Sequence, residues 1–125
     1  MDRDWKKMAI WLAWLALPAT ALDYWRAWDR LPARMAVHFD ANWQPNGYTS
    51  REGALLQGLG IMAFMLFVFT VTGLIIHALK PGAAWQMLTV FYVVLGLVCY
   101  GNYSIVRFNL SLLAPHPPPV NLSVP

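Results

Sequence analysis

The chain has 125 residues, room for one domain, of which 58% are hydrophobic and 12% charged, with a formal net charge of +3. Nine basic and six acidic side chains cannot coat a soluble globule of this size, since ordinary domains carry about 25% charged residues. The apolar load excludes a disordered chain. One cysteine, Cys99, excludes an internal disulfide framework and a thiolate-built zinc site, and the basic residues flank apolar runs instead of forming the polar stripe of a nucleic-acid binder.

The first apolar run, Met8 to Leu22, lies between Lys7 and Asp23 and is short for a membrane span, which needs roughly 20 residues. Arg3, Lys6 and Lys7 ahead of it and Ala19-Thr20-Ala21 behind it also fit a cleaved secretory leader. Against cleavage stand Asp2, Asp4 and three tryptophans among the first fourteen residues. The helical spacing of Trp11, Trp14, Pro18, Leu22, Trp25 and Trp28 carries the pattern past Asp23. The preferred reading is a retained span over about 7–29, bent at Pro18, with Trp25 and Trp28 at the headgroups.

Residues 30–52 form a polar loop. Met35 to Phe39 reads as a short extended segment, and Pro45-Asn46-Gly47 as its turn. Two long runs follow. Gly53 to Leu79 contains His77 as its one charge-bearing group, and Pro81 to Val106 contains none beyond Tyr hydroxyls and Cys99. Both exceed a bilayer's needs, and Pro81-Gly82 turns one into the other. The reading is an all-α integral membrane protein, a single membrane domain over 1–125. Three transmembrane helices (about 7–29, 53–79 and 83–107) enclose a compact structured loop between the first and second, and a Pro-rich tail occupies 115–125. Basic residues split four to five between the two sides. The amino terminus is placed in the cytoplasm because Lys6 and Lys7 lie immediately beside the first helix.

The loop sequence LPARMAVHFDANWQPNGYTSR resembles the membrane domain of unknown function at the amino end of SdpI-type immunity proteins. The matching positions are Leu31, Pro32, His38, Phe39, Asp40, Pro45, Asn46, Gly47, Tyr48, Ser50 and Arg51. The family usually has glycine where this chain has Trp43. If that glycine takes a positive φ, a tryptophan there is strained and the turn is rebuilt. The resemblance implies a multi-pass protein of the bacterial plasma membrane. Larger members protect a producer cell from a toxic peptide and signal to a repressor, an activity that a three-span chain does not inherit whole.

His38 and Asp40 together suggest a metal pair, but a site needs three or four ligands; the preferred role of His38 is a hydrogen bond that shapes the loop. Arg34 and Arg51 with Asp40 and Glu52 read as charge pairs bracing the loop, or as contacts to lipid phosphates. His77 is close enough to a helix end to reach the headgroups. Gln57 and Asn102 read as intramembrane polar packing, since an amide in hydrocarbon needs a partner. Asn102, Asn109 and Asn121 each begin an Asn-x-Ser sequence, taken as chance. No nucleophile–base pair, phosphate loop or metal helix motif appears, so neither an enzyme nor a cofactor is expected.

The expected function is a small sensor or immunity-type protein. It contacts a peptide or another ligand through His38, Phe39, Asp40, Trp43, Pro45, Asn46, Gly47, Tyr48, Ser50 and Arg51. The alternative is an accessory subunit of a larger complex. Partners are the bilayer, a homo-oligomer or larger membrane protein, and no nucleic acid. If the first run is retained, the membrane-extracted chain has an intact mass of 14.1 kDa; a mass short by residues 1–21 establishes cleavage instead.

Overall fold

The computed structural model describes residues 2–112, so the Pro-rich segment 115–125 and Asn121 lie outside the described residues. The chain opens with α1 (Asp2–Leu12), a 3-10 turn (Ala13–Leu15), α2 (Ala16–Ala27) and a second 3-10 turn (Trp28–Arg30). The break falls one turn before Pro18. Proline has no N–H for the carbonyl of Trp14, four residues back, and its ring crowds that carbonyl, so the backbone tightens there.

The loop is not helical. It holds β1 (Arg34–Phe39) and β2 (Pro45–Ser50), paired antiparallel, so the expectation of an all-α fold is corrected to a mostly helical fold carrying a β-hairpin. The Pro45-Asn46-Gly47 turn is corrected as well: these residues open β2, and the chain reverses over Asp40–Gln44. The register pairs Ala36 with Tyr48, His38 with Gly47 and Phe39 with Pro45, with irregularities on either side of His38. Gly47 has no positive φ. What it supplies is close approach, because a Cβ at that position would lie 2.7 Å from His38 Cβ.

α3 (Arg51–Leu79) begins where β2 ends, capped by Ser50, whose Oγ accepts from the Gly53 N–H at 2.9 Å. A 3-10 turn at Pro81–Ala83 leads into α4 (Ala84–Ser111), which passes Arg107 by another turn. Two helical stretches, Arg51–Leu79 and Pro81–Ser111, are long and apolar enough to cross a membrane, and only 22% of each apolar window is buried. A soluble protein's core helix is mostly buried; here Leu56, Phe64, Phe67, Leu79, Val93 and Leu97 point outward.

Packing forms three layers along the bundle. Ile10, Met87 and Leu88 fill the end near Pro81; Met62, Leu66 and Leu95 fill the middle with Trp14 and Leu17; Tyr24, Ala27, Leu31, Met35, Ala54 and Val106 join the hairpin to the helices. A series of polar contacts fastens α1 and α2 to the other helices. Tyr92 donates to the Ala9 carbonyl at 2.6 Å, Trp14 Nε1 to Thr70 Oγ1 at 2.7 Å, and Arg107 pairs with Asp23. Polar groups set among apolar side chains gain from such partners.

The hydrogen bonds that fix the hairpin to α4 come from one side chain. Asn109 Oδ1 accepts from the Ala36 N–H and its Nδ2 donates to the Ala36 carbonyl, both at 2.9 Å, and Nδ2 also reaches the Ile105 carbonyl at 2.8 Å. Asn109 is fully buried. Its amide thus takes the place of a third strand along the outer edge of β1. Asn109→Leu leaves two backbone groups at Ala36 unpaired and is expected to cost about 2–6 kcal/mol, at about 1–3 kcal/mol for each unsatisfied buried group. Asn109→Asp, which sets a buried carboxylate oxygen against the Ala36 and Ile105 carbonyls, should cost at least as much; both are read by denaturant titration in detergent micelles.

Candidate functional site

The hairpin stands where α2 ends, α3 begins and α4 finishes, and its tip is built by one carboxylate. Asp40 Oδ1 accepts from the N–H groups of Asn42 (2.8 Å) and Gln44 (3.0 Å). The backbone closes around it, Asp40 N–H to Gln44 carbonyl at 2.9 Å and Trp43 N–H to Asp40 carbonyl at 3.0 Å. Aspartate holds its own following backbone in this way. Asp40 is therefore a turn-forming residue and pairs with neither Arg34 nor Arg51.

This closure drives Trp43 to φ 60°, the left-handed region, where it is the single non-glycine example among the described residues. The backbone strain of a tryptophan in a left-handed turn position is present. The side chain is 76% exposed beside an apolar groove of about 530 Å³, lined by Phe39, Trp43, Tyr100, Gly101, Ser104, Ile105 and Phe108. Phe39 meets Phe108 edge to face, ring centres 4.9 Å apart, which fixes the groove's floor to α4.

The remaining loop residues divide by role. His38 Nδ1 lies 2.8 Å from Asn46 Oδ1 and donates to it in the tautomer protonated there, a side-chain contact across the hairpin. Among the described residues no group of three or more His, Cys, Asp or Glu is placed to hold a metal ion. Arg34 lies over the Tyr48 ring across the sheet, 5.3 Å from its centre. Arg51 faces inward: its Nη1 donates to the Trp28 carbonyl at 3.0 Å, its guanidinium lies 4.7 Å from the Trp28 ring centre, and its backbone N–H bonds to the Ala33 carbonyl. Its approach to the exposed Glu52, at 3.8 Å, adds little. Ser50 caps α3 and Pro45 starts β2. His38, Asp40, Trp43, Asn46 and Tyr48 are exposed, so the outward surface of the hairpin is theirs.

Asn102 is buried against α3, where a Cβ on Gly58 would collide with its Oδ1. Gln57 is exposed and lines a smaller groove with Asn102 beneath Val37. Three residues escaped the sequence reading. Asn109 stood out only as a glycosylation pattern, and Asp23 and Arg107 only as ends of apolar runs. The usable signal was a charge or amide set in apolar sequence, which demands a partner.

A family model described as a domain of unknown function (DUF1648) matches residues 8–62, which takes in α2, the hairpin and the start of α3. No curated protein matches the chain. No solved structure matches it either.

Left-handed backbone costs a non-glycine residue about 1–2 kcal/mol, partly offset in glycine by its larger entropy loss. Trp43→Gly should therefore stabilise the chain by up to ~1 kcal/mol, whereas Asp40→Ala, which strands two turn N–H groups, should destabilise it by about 1–2 kcal/mol. Thermal unfolding of both variants in one detergent checks the opposite signs.

Proposed function

We propose that this is a small non-enzymatic protein of the plasma membrane, a sensor or immunity-type protein that meets an apolar peptide through the hairpin. The first helical rod, about 7–29, serves as a third span. In support, Met8, Trp11, Leu12, Leu15, Leu22 and Trp25 all face outward, giving α1 and α2 the same apolar exterior as α3 and α4. Trp5 and Trp85 stand near one end and Trp25 and Trp43 near the other, the placement of aromatic belts. The amino terminus lies in the cytoplasm and the hairpin on the opposite side. Three helices bury little against one another, so self-association or a larger membrane partner completes the assembly.

One observation carries the recognition role: a strained tryptophan is held exposed over an aromatic groove. Strained backbone persists where its surroundings over-determine it, and it gathers at binding sites. The Asp40 turn, the Asn109 clamp and the Arg51 contacts supply that determination, and the groove offers four aromatic rings to an apolar ligand.

Cells expressing the chain are expected to survive challenge with an apolar membrane-active peptide better than cells without it. Replacing residues 38–51 by a Gly-Ser linker of equal length, with membrane insertion verified, abolishes that protection. Trp43→Gly weakens it several-fold although the fold gains stability. Unchanged survival with the linker variant discards the reading.

A further inference from the structure

A second groove, distinct from the hairpin's, runs between α2 and α4. It encloses about 350 Å³ and is lined by Ala16, Ala19, Thr20, Leu22, Asp23, Arg26, Cys99 and Tyr103. Its lower part is apolar with small side chains on α2; its upper part ends in charge. Asp23 is already paired with Arg107, whose guanidinium also lies over Tyr103, 4.7 Å from the ring centre. Arg26 is exposed, and among the described residues no carboxylate pairs with it. The mouth of the groove therefore keeps one uncompensated positive charge.

Shape narrows the occupant. From Ala16 to Arg26 the groove follows about 15 Å of helix at 1.5 Å per residue, a long, narrow track. A single hydrocarbon chain can lie along it, whereas a second transmembrane helix, about 10 Å across, would rest over its mouth. A helix from another copy would also bury Arg26 without a counter-charge, which is costly, whereas a lipid phosphate supplies that charge at the depth where the arginine reaches the headgroups.

We propose that this groove binds one membrane glycerophospholipid, its phosphate on Arg26 and one acyl chain laid along Ala19, Ala16 and Cys99. The site rests on the first helical rod lying in the bilayer.

The test uses the full chain in detergent micelles, titrated with dioleoyl phosphatidylglycerol, with dioleoylglycerol and with inorganic phosphate, and read by native mass spectrometry. The phospholipid is expected to be retained at least tenfold better than the diacylglycerol, and phosphate alone not at all. Arg26→Gln should remove the tenfold preference, Ala19→Phe should lower retention of both lipids, and Arg30→Gln, outside the groove, should change neither. A photoactivatable phospholipid carrying its reactive group in the acyl chain should label the peptides containing residues 16–22 and 99–103. Equal retention of the two lipids, equal losses from Arg26→Gln and Arg30→Gln, or labelling spread over the outer face of α3 overturns the site. Helical content measured for each variant separates loss of fold from loss of binding. A chain that stays dispersed in buffer without detergent overturns the membrane reading instead.

Discussion

The amide of Asn109 against both polar groups of Ala36 is the contact on which the rest of the molecule depends. A two-stranded hairpin is marginal in water by itself, and this one carries two irregularities around His38 and a strained residue at its tip. It persists because β1 is received by α4 as though by another strand. The burial of Met35 and Ala36 follows from that attachment, and so does the meeting of Phe39 with Phe108. Arg51 closes the other end of the ribbon onto Trp28. The hairpin is in effect part of the helical bundle, extended beyond the ends of its helices.

The two long apolar helices were readable from spacing alone, because a segment long and apolar enough to cross a membrane leaves a gap between charges that counting reveals. The gaps set by Glu52 and Lys80 and by Lys80 and Arg107 gave α3 and α4 to within a few residues, apart from the last turn beyond Arg107. The hairpin was half readable. The extended run at Met35 to Phe39 became β1, but Pro45-Asn46-Gly47, a strong local turn signal, lost to Asp40, whose carboxylate collects two N–H groups and sets the reversal earlier. Gly47 was then needed for its lack of a side chain and not for its φ. Trp43 was singled out only conditionally, as a turn residue costly at positive φ, and it does take a φ of 60°.

The long-range partners were not readable. Asn109 and Ala36 are 73 residues apart, and Arg107 and Asp23 are 84 apart. No periodicity encodes such pairings; they follow from how the helices happen to align. The candidate site divides on the same line. Its exposed half (His38, Asp40, Trp43, Asn46, Tyr48) was nameable from the motif, while the inward turn of Arg51 and the aromatic floor contributed by α4 required the folded chain. A recognisable motif thus mixes residues that build the hairpin with residues it displays.

The attachment of β1 to α4 also has a mechanical consequence. Because the ribbon is tied to α4 through Asn109 and through the two phenylalanines, a push at Trp43 cannot be absorbed by the ribbon bending alone. It is delivered as a torque on the final turns of α4, close to the Asp23–Arg107 pair. The tip and that helix end therefore form a lever.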